Sequence, residues 1–227
     1  MDPWLSVIIV ALSYLCGMGV YNYFIIPLGA TYYRNALVSF LYYLSASILL
    51  LKFFGASYIE AYTGMRQGAQ IALAALTLAL LITPQILKRF SSYPRISREY
   101  PRIATLSFRY PFVLAKTGEI MFQQICVVLL VFALADIYTS ISVIAVSYAL
   151  VFGAMHAPLF LVLRARFAVA FTLAAFASGF VIPPLVLLVE GGVMYSFVLH
   201  WSFYIALAYF IYLNNGRFFL PVPRQAT

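Results

Sequence analysis

The sequence predicts an all-α fold, a polytopic transmembrane helical bundle of about seven spans, on three observations. Of the 227 residues, 65% are hydrophobic and only 9% are charged, whereas a typical soluble domain carries about 25% charged residues. So few charges do not cover a globular surface in water, and sequestering that much apolar area requires lipid. The apolar residues also come in runs of about 20, the length a helix needs to cross the hydrocarbon core. Finally, the basic residues lie in short segments between those runs. In a membrane protein, a formal net charge of +8 placed this way marks loops kept in the cytoplasm, and no nucleic-acid partner is expected.

Taken in order, the first span is predicted over residues 4–26 and stops at Pro27 and Gly29. It is too long for a cleaved signal peptide, has no basic leading region and begins with Asp2, so it is expected to stay as a span. The second, 36–51, is short but bounded by Arg34 and Lys52, and the connector 52–67 holds Glu60 and Arg66 and is read as an amphipathic interfacial segment. The third covers 68–87. A polar stretch follows over 88–109, KRFSSYPRISREYPRIATLSFR, the basic cytoplasmic loop. The fourth, fifth and sixth spans are 112–135, 140–163 and 167–189, with a kink expected at Pro183 and Pro184. The seventh covers 193–213, before a polar tail from Asn214. No segment repeats, and residues 1–227 read as a single transmembrane domain.

Alternating the spans across a bilayer sorts the charges. The side opposite the N-terminus receives Arg34, Lys88, Arg89, Arg95, Arg98, Arg102, Arg109, Arg164, Arg166, Arg217 and Arg224, eleven basic residues against Lys52 and Arg66 on the N-terminal side. Asp2, Glu60, Asp136 and Glu190 fall on the N-terminal side, and Glu99 alone on the basic side. A six-span or eight-span count scrambles this separation. The asymmetry predicts the N-terminus outside and the C-terminus in the cytoplasm, and the expected location is the cell membrane of a prokaryote. The loop 88–109 is read first as a topology determinant, and second as a docking surface for lipid headgroups.

Lys116 and Glu119 remain inside the fourth span. Lys116 is near enough to the cytoplasmic end to snorkel to the headgroups. Glu119 lies deeper, where a charge costs about 2.5–3.5 kcal/mol by insertion scales, so it is expected to face the bundle interior with a partner. The chain's two histidines, His156 and His200, also lie inside spans. Measured from the basic side, helical rise places His156 about 12 Å deep, Glu119 about 15 Å and His200 about 20 Å. Gln123, one turn after Glu119, and Tyr204, one turn after His200, extend the polar faces. One reading of these residues is that they join helices by hydrogen bonds. The other is chemical. A carboxylate beside an imidazole in a low-dielectric site can hold and deprotonate a water, and a second imidazole can donate to the oxyanion formed when that water attacks an amide.

Such hydrolysis uses no metal and no cofactor, and other intramembrane chemistries fit less well. There is no HExxH and no GxSxG, and Asp2 and Asp136 lie at membrane edges, so no aspartate pair forms. A retinal Schiff base needs a lysine in the last span, which has none. Cys16 and Cys126 sit in separate apolar runs and make neither a disulfide framework nor a zinc set.

On these residues the chain resembles the CPBP intramembrane proteases, named for CAAX prenyl proteases and bacteriocin-processing enzymes. Members carry EExxxR, then FxxxH, then HxxxN or HxxxD, on successive membrane helices. Here GEIMFQQ (Gly118 to Gln124) is similar to the first, FGAMH (Phe152 to His156) to the second and HWSFY (His200 to Tyr204) to the third, over roughly residues 110–213. The resemblance implies a glutamate-type intramembrane endopeptidase. Its substrate would be a membrane-anchored or prenylated peptide or protein, and membrane lipids would be its other partners. Glu119 with His156 would activate water, and His200 would stabilise the oxyanion with Tyr204 and Gln123 nearby. The sequence departs from the family at three positions. Gly118 stands where the water-activating glutamate is expected, Gln123 replaces the arginine and Tyr204 the asparagine. These departures leave open a catalytically inactive membrane scaffold or binding protein. A proton- or cation-coupled transporter also remains open, favoured by Gly17, Gly19 and the paired prolines as helix interruptions and opposed by the missing inverted repeat.

Overall fold

The structure, a computed structural model, describes residues 2–29, 31–32, 34–63, 67–89, 108–162 and 165–213. Most of the basic loop 88–109, together with Arg66, Arg164 and the tail from Asn214, lies outside the described residues. Every regular element among the described residues is helical. In chain order these are α1 (Pro3–Val20, continued by a π-helical turn, Tyr21–Ile25), α2 (Ala36–Thr63), α3 (Gln67–Leu87), α4 (Tyr110–Ala135), α5 (Ile141–Met155), α6 (Leu159–Val162), α7 (Ala165–Ser178), α8 (Ile182–Leu188) and α9 (Gly192–Leu213). Among the described residues, seven stretches are long and apolar enough to cross a membrane: Pro3–Ile25, Ala36–Phe54, Gln67–Leu87, Tyr110–Ala135, Ile141–Leu161, Ala168–Leu188 and Gly192–Leu213. The chain is a polytopic bundle of α-helices with the make-up of an integral membrane protein.

Local chemistry explains several of these boundaries. The Asp2 carboxylate caps α1 by accepting from the Leu5 amide at 3.1 Å, with Pro3 in the first turn where its missing N–H is no loss. α4 likewise starts with Pro111 in its first turn. α5 stops at Met155, three residues before Pro158, whose ring would clash with the carbonyl one turn back in a continuing helix. The connector after the second span is not a separate segment, because α2 runs unbroken through Lys52 to Thr63. The kink expected at Pro183 and Pro184 is instead a break one turn earlier. α7 ends at Ser178, the chain turns over Gly179–Val181, and the two prolines open α8.

α4 is the axis of the bundle. In its most apolar window 83% of residues are buried against protein, against 22–39% for the other six spans, whose remaining apolar surface faces outward. Lipid tails are as apolar as leucine, so close approach and hydrogen bonds, more than hydrophobicity, bring membrane helices together. Gly17 of α1 illustrates this, since a Cβ there would lie 2.4 Å from the Phe122 ring of α4. The Tyr42 hydroxyl of α2 donates to the Gly17 carbonyl at 2.7 Å, and Tyr21 and Ser39 share a hydrogen bond of 2.9 Å. α1 and α2 therefore grip the half of α4 that carries the buried charges.

Candidate functional site

The buried charges lie on one face of α4. Lys116, Glu119 and Gln123 are spaced at i, i+3 and i+7, so their side chains stack. All three are buried. Glu119 Oε1 accepts from Lys116 Nζ at 2.7 Å and from Gln123 Nε2 at 2.8 Å. Its Oε2 accepts from the Tyr32 hydroxyl, which reaches in from the connection between α1 and α2. Three donors thus converge on one carboxylate, and a buried charge is tolerable in a low-dielectric interior when it is paired and hydrogen-bonded in this way. The Lys116 ammonium also lies over the Tyr204 ring of α9, 4.0 Å from its centroid. Tyr32 lies outside the spanning segments. Burial, reinforced by the neighbouring Glu119 carboxylate, holds its phenol well above the usual tyrosine range and keeps it a neutral donor.

The imidazoles are oriented by other groups. His156 caps the end of α5, and its Nδ1 lies 2.8 Å from the Phe152 carbonyl four residues back. A carbonyl only accepts, so Nδ1 carries the proton and the Nε2 lone pair faces the Tyr14 hydroxyl of α1 at 3.3 Å. The Phe152 ring stands edge-on to the imidazole at 4.7 Å. In FGAMH, the phenylalanine therefore supplies both the backbone acceptor and the wall against which the ring rests. His200 stacks on Tyr204, one turn later on α9, with ring centroids 5.7 Å apart. Its Nδ1 is buried with no hydrogen-bond partner among the described residues.

Lys116, Gln123 and Tyr32 therefore gather around Glu119, and Tyr204 lies against Lys116, with the two histidines as neighbours and not as partners of the carboxylate. His156 is within electrostatic range of both Lys116 and Glu119, and His200 of Lys116 and His156. Neither imidazole is hydrogen-bonded to Glu119. Lys116 differs from the snorkelling expected of it, because pairing with Glu119 one turn away outweighs solvation at the membrane edge. That spacing was visible in the sequence. Tyr32 and Tyr14 carried no such signal, being two of eighteen tyrosines with nothing local to mark them.

Gly118 sits where the resemblance places a water-activating glutamate. A Cβ built there would lie 3.0 Å from the Phe40 carbonyl oxygen and 3.1 Å from its Cα, so the position points at the backbone of α2. The glycine is what lets α2 lie against α4, and a side chain there requires α2 to move. Among the described residues, no three His, Cys, Asp or Glu side chains converge as metal ligands. No protein-family model matches the sequence, and neither a curated protein nor a solved structure does, so the functional reading rests on the geometry of these side chains and on the motif resemblance alone.

Proposed function

We propose that this chain is a CPBP-like membrane protein that binds a membrane-anchored or lipidated polypeptide without hydrolysing it. It stands with its N-terminus outside and its basic loops in the cytoplasm. The observation that carries the reading is the set of donors already on the Glu119 carboxylate, with Lys116 and Gln123 on Oε1 and Tyr32 on Oε2. A general base needs a lone pair within about 2.6–3.2 Å of the proton it takes. Here the carboxylate is directed at its three donors and the His156 lone pair at Tyr14. Freeing Glu119 means breaking a buried ion pair, a change that costs about 3–5 kcal/mol when one partner is lost. That is a factor of roughly 10² to 10⁴ in rate. Gly118 supports the same reading, since the position offers no second carboxylate.

The test is reconstitution in vesicles with membrane-anchored and prenylated peptides, comparing the parent with Glu119→Gln and His156→Ala. The reading expects no cleavage by the parent. Cleavage by the parent that both substitutions abolish overturns it.

A glutamate-type endopeptidase is the second reading, and His156 favours it. Its Nδ1 is pinned to the Phe152 carbonyl, so Nε2 is left as the acceptor, and an oxygen already sits 3.3 Å away at Tyr14. In that reading Lys116 releases Glu119, which activates water with His156, while His200 and Tyr204 donate to the oxyanion. The same cleavage assay decides between the two. The orientation is tested separately by cysteine labelling. Ser140→Cys should react with an impermeant maleimide from outside, and Lys88→Cys only after permeabilisation.

A further inference from the structure

We propose that Glu119 and Tyr204 form a binding site for a primary ammonium group, and that Lys116 fills this site from within the chain in the resting protein. The proposal rests on reading Glu119 as a binding residue and names the ligand class of that same site. The ammonium of Lys116 has two recognition contacts that are independent of its own stem. One is a charge-assisted hydrogen bond of 2.7 Å to Glu119 Oε1, and the other is the face of Tyr204, 4.0 Å from the ring centroid. A carboxylate on one side and an aromatic face on the other are the elements of an amine site. They come from two different helices, α4 and α9, which pack against each other.

The carboxylate does not depend on Lys116 for its aim. Gln123 holds Oε1 at 2.8 Å, and the Tyr32 hydroxyl holds Oε2. These partners lie one turn along α4 and in the connection between α1 and α2, so the acceptor stays oriented when the lysine leaves. Tyr204 is fixed separately, stacked on His200 at 5.7 Å and packed against Phe171 at 6.3 Å. Lys116 itself has a second destination. It lies one turn nearer than Glu119 to the start of α4, and its four-carbon stem can carry the ammonium toward the headgroups. A ligand amine entering the site therefore displaces a tethered copy of itself, and the pair Lys116–Glu119 acts as the closed state of an exchangeable cation site.

The experiment follows thermal unfolding of the detergent-solubilised full chain in methylammonium chloride and in sodium chloride at matched ionic strength. Lys116→Ala vacates the ammonium position. Its unfolding midpoint is expected to rise with methylammonium concentration as ligand binding to the folded state requires, and to rise less with sodium, which fits neither the hydrogen-bond geometry nor the ring face as well. Lys116→Ser, likewise too short to reach Oε1, is the second variant should the alanine protein not fold, and it should show the same dependence. Adding Glu119→Gln to either variant should abolish the rise. An equal response to both salts, or a rise that survives Glu119→Gln, overturns the proposal. Cleavage of a membrane-anchored peptide by the parent would overturn the non-hydrolytic reading and leave this result standing, so the two failures are distinguishable.

Discussion

Replacing Glu119 by glutamine separates the cost of a lost charge from the cost of a lost hydrogen bond. The amide keeps the size of the carboxylate, and its oxygen can still accept from Lys116 and Gln123, while its NH2 faces Tyr32, whose hydroxyl turns to accept in place of donating. What changes is that the Lys116 ammonium, buried over Tyr204, is left without a counter-ion. Breaking one partner of a buried pair typically costs about 3–5 kcal/mol, whereas a single interhelical hydrogen bond in a membrane protein averages about 0.6 kcal/mol. At about 2–4 °C per kcal/mol for a chain of this size, Glu119→Gln should lower Tm by roughly 6–20 °C. Adding Lys116→Met removes the orphaned charge as well, and replacing both members of such a pair by uncharged side chains is often neutral or stabilising. The double variant should therefore recover most of the loss. The assay is thermal unfolding in detergent, followed by circular dichroism. A loss under about 3 °C for the single variant, or a double variant as unstable as the single, would refute the claim that the pair is buried and mutually dependent.

Tyr32→Phe removes one neutral donor and no charge, so Tm should fall by only about 1–7 °C, on a cost of about 0.6–1.7 kcal/mol. The Tyr32 phenol is raised by burial, so its contribution should be fully present below about pH 10, the unfolded value. It should be lost as pH rises beyond that, and Tyr32→Phe should make the alkaline fall in stability shallower in a pH titration. At Gly118, Gly118→Ala forces the added carbon against the Phe40 backbone and should cost about 1–3 kcal/mol by overpacking, read as a lower Tm. Gly118→Glu should be less stable still and should not create peptide cleavage. A stable, cleaving Gly118→Glu protein would show that the position does reach the histidines.

Hydropathy made most of the fold legible because lipid acts on each segment separately. The runs that begin near Trp4, Ala36 and Phe112 are each apolar enough to span alone, whatever packs beside them. The helix breaks were harder to see. Pro183 and Pro184 mark an interruption, but whether they bend one helix or open another depends on the turn at Gly179, where an added Cβ would fall 2.4 Å from the Cβ of Ala149 on α5. The site divided in the same way. Glu119 was recognisable as a carboxylate too deep to reach water, and the bond from His156 to Phe152 spans only one helical turn. The Tyr32 bond joins residues 87 positions apart, and the Tyr14 bond joins residues 142 apart, so nothing local announces either.

The sequence by itself determined that this chain crosses the membrane about seven times and carries a glutamate and two histidines within its spans, because transfer into lipid is summed over each segment. Only the tertiary structure decided what Glu119 does there. A carboxylate's role depends on which donors its lone pairs meet, and those donors arrive from α4 itself and from the connection that carries Tyr32. The lysine expected at the headgroups turns inward instead, since pairing inside a low-dielectric bundle outweighs solvation at its edge.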